Sequence, residues 1–520
     1  MILSIVVVGV ISIAIIMTMI YNNNYNHFFS FNGVSIASSS SSSSSNSQSS
    51  SLSSSSGQQQ QEREIVAAGE PSIIGSEKNN LKVENFVAQG LSSPTSMAFV
   101  DPSNLLVLQK GGQVRLVSNG ILQKQPVLAA PVDNASERGL LGIAVLKKGT
   151  GFFEKNIAAE EAASSSPLLP LQRSPSPATM TTATTATAAT TKVFLYFTES
   201  NGKGQLRNRI YKYNWDSGKH LLLNPKLILD VSALPGPNHN GGKLAIGPDQ
   251  YLYAVIGNLN AGDSILQNDK HGRGPHDTSV IFRIDPNNGL PATKNPFSSS
   301  SNNNNSTSNR ILSKYYAYGI RNSFGITFDP ITGRLWDTEN GETRYDEINL
   351  VTPGFNSGWQ QVMGPISRSN ITESDLVNLR GSHYADPAFS WLNAIGVTDI
   401  EFLKSSKLGS RYTNNIFVGD INNGNLYYFE LNKDRTGLKF GYNSDYDNSE
   451  DALLSDFVAD DKAEVSTITF GTGFGGITDI KTGPDGFLYI LSYFNGSIYR
   501  IVPANSSSNN HNGNGNNNMH

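Results

Sequence analysis

The 520-residue chain contains no cysteine. Disulfide bonds, thiolate metal sites and thiol catalysis are therefore all excluded. Lysine and arginine are scattered without a basic run, and the formal net charge is −4, so nothing in the composition indicates nucleic-acid binding. Histidine is also scarce, with eight residues, and each histidine in a structured segment becomes a candidate for acid–base chemistry.

One long hydrophobic run is present, at residues 2–20 (ILSIVVVGVISIAIIMTMI). At about 1.5 Å per residue it is long enough for a bilayer core of about 30 Å. No basic residue precedes it and no small-residue cleavage site follows it directly. We interpret residues 1–20 as a transmembrane anchor, with a cleaved signal peptide or a buried helix as alternatives. Either of the first two interpretations predicts that the rest of the chain is extracytoplasmic, membrane-anchored or secreted.

Low-complexity sequence frames and interrupts the part that can fold. Residues 21–79 include a long serine tract and predict a disordered, flexible tether. Residues 504–520 predict a disordered tail, and residues 149–191 and 298–309 predict surface insertions. The remaining sequence predicts one folded domain, residues 80–503.

Six repeats of one pattern run through that domain. A small apolar run leads into a Pro/Gly/Asp turn, and an alternating apolar run follows; the clearest copies are GKLAIGPDQYLYAVIG at 242–257 and ITDIKTGPDGFLYIL at 477–491. A further short alternating run completes each unit. Three or four such runs joined by turns are typical of an antiparallel blade, so the sequence predicts an all-β, six-bladed β-propeller. Its functional residues should lie on loops at one face of the central channel.

Two polar clusters directly precede predicted strands. His239, in GPNHNGGKL, is a candidate general base in a turn that leaves room for a ligand, although a turn-capping histidine is an alternative. Arg321 and Asn322, in YGIRNSFG, would stand at the same end of their own blade. The guanidinium suits a carboxylate ligand, and a purely structural ion pair is the alternative.

Two further clusters are acidic. Glu137, in SERGLLG, faces either the channel or an ion pair with Arg138. The segment DTENGETRYDEIN carries four closely spaced carboxylates on a glycine-containing loop, which suits Ca²⁺ but also fits a solvated loop: Glu339, Glu342, Asp346 and Glu347.

Several motifs, in order, resemble the soluble quinoprotein glucose/sorbosone dehydrogenase family, which includes aldose sugar dehydrogenases dependent on pyrroloquinoline quinone (PQQ). They are ERGLLGIAV, HNGGKLAIGPDQYLYAVIGN, YGIRNSFGITFDP, ENGETRYDEINLVTPGFNSGW and ITDIKTGPDGFLYILSYFNGSIYRI. The similarity extends from about Val83 to Val502 and implies a six-bladed propeller in which PQQ lies over the channel mouth.

The resemblance implies roles for individual residues. His239 corresponds to the general base at the sugar C1 hydroxyl, and Glu137 to a residue near the substrate. Arg321 and Asn322 correspond to the pair that contacts the quinone. The backbone carbonyls of Gly341 and Glu342 correspond to Ca²⁺ ligands.

The cofactor carboxylates are held in that family by one lysine and two arginines. The corresponding positions in this sequence are Asn422, Gly476 and Thr478. Asn422 and Thr478 are therefore the residues expected to face this part of the cofactor, without the charge that the family uses there.

Three functional hypotheses follow. The first is a membrane-tethered, PQQ-dependent and Ca²⁺-assisted dehydrogenase that oxidises aldose sugars to lactones and passes electrons to an acceptor that the sequence does not identify. The second is a propeller that has lost the quinone and serves as an extracellular binding module. The third is a metal-dependent hydrolase such as a lactonase, a chemistry that six-bladed propellers can also host.

Overall fold

The computed structural model describes residues 70–147, 190–298, 307–440 and 454–504. Strands dominate these ranges, and the two short α-helices are α1 (Thr307–Leu312) and α2 (Lys462–Ile468). Among the residues in these ranges, no helix has the length and apolar character needed to cross a membrane. The predicted anchor, nearly all of the predicted tail, and most of the predicted tether and of both insertions lie outside them.

The strands form six sheets. Two N-terminal strands, β1 (Ser72–Ile73) and β2 (Leu81–Val87), precede the first sheet and join the last two. Sheet 1 contains β3 (Pro94–Asp101), β4 (Asn104–Gln109), β5 (Gln113–Ser118), β6 (Ile121–Leu122) and β7 (Leu128–Ala129). Sheet 2 contains β8 (Leu140–Leu146), β9 (Lys192–Ser200), β10 (Leu206–Asp216) and β11 (Leu221–Ser232).

The remaining four sheets follow in chain order. Sheet 3 contains β12 (Leu244–Ile246), β13 (Leu252–Ile256), β14 (Val280–Ile284), β15 (Tyr315–Tyr318), β19 (Phe355–Asn356) and β20 (His383–Tyr384). Sheet 4 contains β16 (Ser323–Phe328), β17 (Leu335–Glu339), β18 (Arg344–Val351), β21 (Phe389–Asn393) and β25 (Val458–Ala459). Sheet 5 contains β22 (Val397–Phe402), β23 (Ile416–Asp420), β24 (Leu426–Phe429), β26 (Thr469–Thr472) and β1. Sheet 6 contains β27 (Ile477–Thr482), β28 (Leu488–Ser492), β29 (Ser497–Pro503) and β2.

The sheets follow one another in a closed ring. The first strand of each sheet (β3, β8, β12, β16, β22 and β27) contacts the first strand of the next sheet, and β27 contacts β3. A cluster of buried hydrophobic residues fills each of the six spaces between neighbouring sheets. The apolar core is therefore divided among the interfaces between sheets, and the predicted all-β propeller arrangement is confirmed.

The repeated Gly-Pro-Asp turn links the first two strands of a sheet. Between β12 and β13 the amide of Gln250 donates to the carbonyl oxygen of Gly247 (3.0 Å), and the Asp249 carboxylate accepts from the amide of Tyr251 (3.2 Å). Between β27 and β28 the amide of Gly486 donates to the carbonyl oxygen of Gly483 (2.9 Å). The last turn residue has a positive φ in both turns, +65° at Gln250 and +83° at Gly486. Glycine adopts this conformation without steric cost, which explains its presence at position 486.

The two ends of the described chain meet in sheet 6. Strand β2 pairs antiparallel with β29, so that Leu81 lies opposite Pro503 and Val83 opposite Ile501. A strand lies within the predicted linker, before its boundary at residue 79: β1 pairs with β26, and Ile73 is buried. Burial of the apolar Ile73 side chain stabilises this strand at the edge of sheet 5, which explains a strand inside the predicted linker.

The loops before the first strands lie at one end of the ring. Side chains near the beginning of one first strand donate to carbonyl oxygens at the beginning of the next: Thr95 to Leu140 (2.7 Å) and Thr398 to Ile477 (2.7 Å). Since these strands begin together, the loops that lead into them surround the same mouth of the channel. We call this end the upper mouth.

Candidate active site at the upper mouth

His239 lies in the loop that leads into β12 and is held by its main chain. Its amide donates to Oε2 of Glu137 (2.7 Å), and its carbonyl oxygen accepts from the amide of Leu259 (3.3 Å). The backbone of His239 has φ of +60°, in the left-handed region that costs energy for a residue with a side chain. These two contacts offset that cost and fix the backbone position from which the imidazole side chain projects.

The His239 ring is oriented by Asn258, which follows β13. Nδ1 of the ring lies 2.6 Å from Oδ1 of Asn258, and the same oxygen accepts from the amide of Asn260 (3.2 Å). An atom that accepts from a main-chain amide is an oxygen, so Nδ1 is the protonated nitrogen of the ring. Nε2 is therefore left with its lone pair, which is the state required of a base.

The environment of His239 keeps the imidazole neutral. Burial, and secondarily the positive charge of Arg321, lower its pKa to about 4, although the Asn258 oxygen acts in the opposite direction. Because the neutral ring is the form that accepts a proton, this side chain is available as a base throughout the neutral pH range.

Glu137 connects the loops of three sheets. Its Oε2 accepts from the amide of His239 and from Nδ2 of Asn322 (3.0 Å), and Oδ1 of Asn322 accepts from the amide of Gly241 (3.3 Å). Burial raises the pKa of Glu137, while these two hydrogen bonds oppose that increase. These contacts place Glu137 among the loops of sheets 2, 3 and 4, and a channel-facing orientation stays a prediction.

Arg138 does not pair with Glu137. Its Nη2 donates to the carbonyl oxygens of Ala233 and Pro235 (both 3.2 Å), and its Nη1 lies 3.6 Å from Asp133. The guanidinium therefore supports the segment just before the His239 loop.

Arg321 leads into β16 beside this group. Its amide donates to Oε1 of Glu339 (2.5 Å), its Nη1 donates to the carbonyl oxygen of Asn340 (3.0 Å), and its guanidinium lies 5.3 Å from the ring centroid of Trp359. Its buried Nε has no hydrogen-bond partner among the described residues. A buried donor without a partner is costly, so this atom marks a position where a ligand oxygen would be stabilised.

The segment predicted to hold Ca²⁺ is organised differently from a carboxylate cage. Glu339 accepts from Arg321 and Ser357, while Asp346 accepts from four main-chain amides, those of Gly341, Ile395, Gly396 and Val397. Glu342 is exposed. Across the described ranges, no group of three or more His, Asp or Glu side chains is arranged to hold a metal ion, so the hypothesis of a four-carboxylate site is wrong. Main-chain coordination at Gly341 and Glu342 stays a prediction.

The last two predicted residues lie farther round the upper mouth. Asn422 is exposed in the turn between β23 and β24, and its amide lies against Gly396. Thr478, near the start of β27, donates its hydroxyl proton to the carbonyl oxygen of Pro94 (2.9 Å). The structure therefore brings His239, Glu137, Arg321 and Asn322 together, and leaves Asn422 and Thr478 as separate residues of the same mouth.

Three residues of the site are absent from the sequence-based prediction. Asn258 orients the histidine, Asn340 accepts from Arg321, and Trp359 covers the guanidinium. Asn258 and Asn340 each closely follow the second strand of a sheet, β13 or β17. Because a second strand returns the chain to the upper mouth, polar residues at that position were the available signal.

Comparisons with known proteins find a matching sequence family and similar folds. The sequence model of the Glucose / Sorbosone dehydrogenase family matches residues 182–500, more than half of the chain. The aldose sugar dehydrogenase YliI of Escherichia coli is 24% identical over 270 residues, which are 52% of this chain and 61% of that relative.

Two solved structures share the fold. A glucose dehydrogenase-type oxidoreductase of Thermus thermophilus has a TM-score of 0.56 and 23% identity, with coverage of 81% of this chain and all of the other. The PQQ-bound aldose sugar dehydrogenase of Streptomyces coelicolor has a TM-score of 0.53 and 22% identity, with coverage of 82% and 99%.

Proposed function

Because this chain belongs to the glucose/sorbosone dehydrogenase family, we propose that it oxidises an aldose sugar at C1 to the corresponding lactone with PQQ as the electron acceptor. The observation that carries the proposal is the state of His239: its Nδ1 is held by Asn258, which leaves the lone pair on Nε2, and the positive charge of Arg321 helps to keep the ring neutral. Related proteins named as aldose sugar dehydrogenases support the choice of substrate class.

The residues at one side of the upper mouth fit the redox end of a quinone. Arg321 offers a buried Nε without a partner among the described residues, and Asn322 is fixed beside it by Glu137. We propose that Arg321 and Asn322 hold the quinone oxygens. A bound quinone would supply a two-electron acceptor for the hydride released from C1 of the sugar.

His239 has the central chemical role in the proposal. Nε2 takes the proton of the C1 hydroxyl while C1 loses its hydride, and the C–O bond becomes the carbonyl of the lactone. Asn258 keeps the ring in the tautomer that accepts this proton. The positive charge of Arg321 stabilises negative charge that develops next to it, without reorganisation of the site.

Glu137 is proposed to orient the sugar. The hydrogen bonds from His239 and Asn322 both reach its Oε2, which leaves Oε1 to accept from a sugar hydroxyl. The same carboxylate fixes the His239 main chain, so the positions of base and substrate are set by one group.

Membrane anchoring, an extracytoplasmic location and Ca²⁺ assistance are proposed from the sequence alone. We propose that residues 2–20 anchor the chain and that the propeller works outside the membrane. We also propose a Ca²⁺ ion held by the carbonyl oxygens of Gly341 and Glu342.

The proposal is tested by dye-linked oxidation of a panel of aldoses with the purified chain and saturating quinone. We expect sugar-dependent turnover and a lactone product. The H239Q variant should lose about 10²–10⁴-fold in kcat, as expected for removal of a general base, and should retain quinone binding. H220Q is the matched control, since His220 is exposed and stacks on Trp215 away from the upper mouth. Full activity of H239Q, or no turnover of any aldose with quinone bound, would refute the proposal.

A further inference from the structure

The upper mouth has an uncharged corner where sheets 5 and 6 meet. A Cβ atom on Gly476 would lie 2.7 Å from the ring of Phe494 and 3.0 Å from the carbonyl oxygen of Ile421, so the three residues are packed together. The amide of Phe494 donates to the carbonyl oxygen of Gly475 (3.0 Å). We define the neutral corner by six residues: Ile421, Asn422, Gly475, Gly476, Thr478 and Phe494.

The neutral corner offers an aromatic face and few side-chain donors. Phe494 is 60% exposed and packs edge-on against Tyr493, with ring centroids 5.3 Å apart. The hydroxyl proton of Thr478 is already donated to Pro94. The amide of Asn422 is the remaining side-chain donor among the six residues, and none of the six is charged.

Three lysines of the channel strands and upper loops are engaged elsewhere. Lys243 and Lys481 lie deeper in the channel, where both pair with Asp399 and Asp479. Lys110 of sheet 1 donates to the carbonyl oxygen of Asn134 (2.7 Å). The neutral corner therefore does not receive a compensating positive charge from these lysines.

Its position makes this neutrality important for the ligand. Sheet 6 lies across the ring from sheet 3, which carries His239, and sheet 5 lies beside sheet 4, which carries Arg321. A flat tricyclic quinone with its carbonyls at His239 and Arg321 would therefore extend toward the neutral corner. This step rests on the proposed function.

We infer that the neutral corner takes the uncharged edge of a flat quinone, stacked on Phe494, and selects against a quinone with carboxylates there. A carboxylate at this corner would lie beside an aromatic face and would find no cationic partner among the six residues. Burial of an uncharged aromatic edge against Phe494 gains dispersion and hydrophobic energy. The PQQ of the proposed function would therefore be held mainly at its redox end, and its three carboxylates would weaken its binding at the neutral corner.

The test compares equilibrium binding of PQQ and of its trimethyl ester to the full chain, measured by quenching of tryptophan fluorescence. The two probes share the quinone and differ in charge. We expect the ester to bind the wild-type chain at least as tightly as the acid. F494A should weaken ester binding by fivefold or more, and I121A is the control because Ile121 is exposed on sheet 1.

A charge-restoring variant separates charge from size. In N422K/T478R we expect the acid to gain at least tenfold in affinity while the ester changes little, with thermal unfolding used to verify the fold. Wild-type protein that prefers the acid tenfold, or binds neither probe saturably, would overturn the inference. Saturable binding of the ester without oxidation of any aldose would support the inference and refute the proposed function, so the two failures are distinguishable.

Discussion

At the residue scale, the site depends on pairs in which one side chain fixes the state of another. Asn258 determines which nitrogen of His239 carries the proton, and Glu137 fixes both the His239 main chain and the Asn322 amide. The reactive groups are thus positioned by neighbours from other loops. This arrangement predicts that conservative changes of the neighbours alter the chemistry without removal of the base.

The pH dependence of oxidation provides the first prediction at this scale. The pKa of His239 is lowered to about 4 from an ordinary value of 6.5, so the neutral base persists as pH falls and the acid limb of kcat/KM should lie near pH 4. N258D places a carboxylate against Nδ1, which favours the protonated ring and should move that limb upward by at least one pH unit. A pH–rate profile of each protein measures the acid limb of the wild type and that of N258D.

The control for this profile is N260D. Asn260 is exposed in the same loop and contacts Asn258 through its main-chain amide. Its profile should match the wild type within a few tenths of a pH unit. An acid limb near 6.5 in the wild type, or equal shifts in N258D and N260D, would contradict the role given to Asn258.

At the element scale, the site is assembled where three loops meet at the end of β13. Gly257 lies at this junction, since a Cβ atom there would be 2.4 Å from the carbonyl oxygen of Arg321 and 2.6 Å from that of His239. The amide of Asn258 donates to the same Arg321 oxygen (2.9 Å). A residue without a side chain is therefore required for the two site loops to approach each other.

The second prediction concerns this junction. G257A should separate the His239 and Arg321 loops, destabilise the protein by about 1–3 kcal/mol and reduce sugar oxidation at least tenfold. Thermal unfolding and dye-linked kinetics measure the two effects. G262A is the matched control, because no atom lies within 4 Å of a Cβ at Gly262 in the same segment. Equal stability and equal rates of sugar oxidation in G257A and G262A would refute the role given to Gly257 in bringing the two loops together.

The same scale shows what the sequence could and could not reveal. The repeated Gly-Pro-Asp turn and the alternating runs predicted the propeller, because turn chemistry and strand period are local properties. The loops of His239, Arg321 and Glu137 could be placed at one face from their position before the first strands. Asn258 was missed although its place after the second strand of a sheet was an available signal. Trp359 was missed because its contact with Arg321 runs from sheet 3 to sheet 4, which no local pattern records. The four-carboxylate metal site failed for a related reason: Glu339 and Asp346 are occupied by main-chain amides from other loops.

At the scale of the whole molecule, a buried network of two lysines and two aspartates crosses the channel. Lys243 of sheet 3 lies 2.7 Å from Asp399 of sheet 5 and 3.0 Å from Asp479 of sheet 6, and Lys481 lies 2.9 Å from Asp399. Asp479 also accepts from the hydroxyl of Ser96 in sheet 1 (2.5 Å). The network therefore joins four sheets below the upper mouth. The charges of its two lysines and two aspartates balance to zero.

The third prediction tests this network. K243M removes a buried ammonium group and leaves Asp399 and Asp479 with Lys481 alone, which should cost about 3 kcal/mol in the free energy of unfolding. Urea unfolding followed by tryptophan fluorescence measures the loss. K404M is the matched control, because Lys404 is exposed and pairs with Glu401 (3.3 Å), so its loss should change stability by less than about 1 kcal/mol.

Addition of D399N to K243M removes the uncompensated charge and should recover part of the loss, since the two residues belong to one network. If K243M and K404M unfold at the same urea concentration, or if D399N and K243M are simply additive, the network does not couple the sheets.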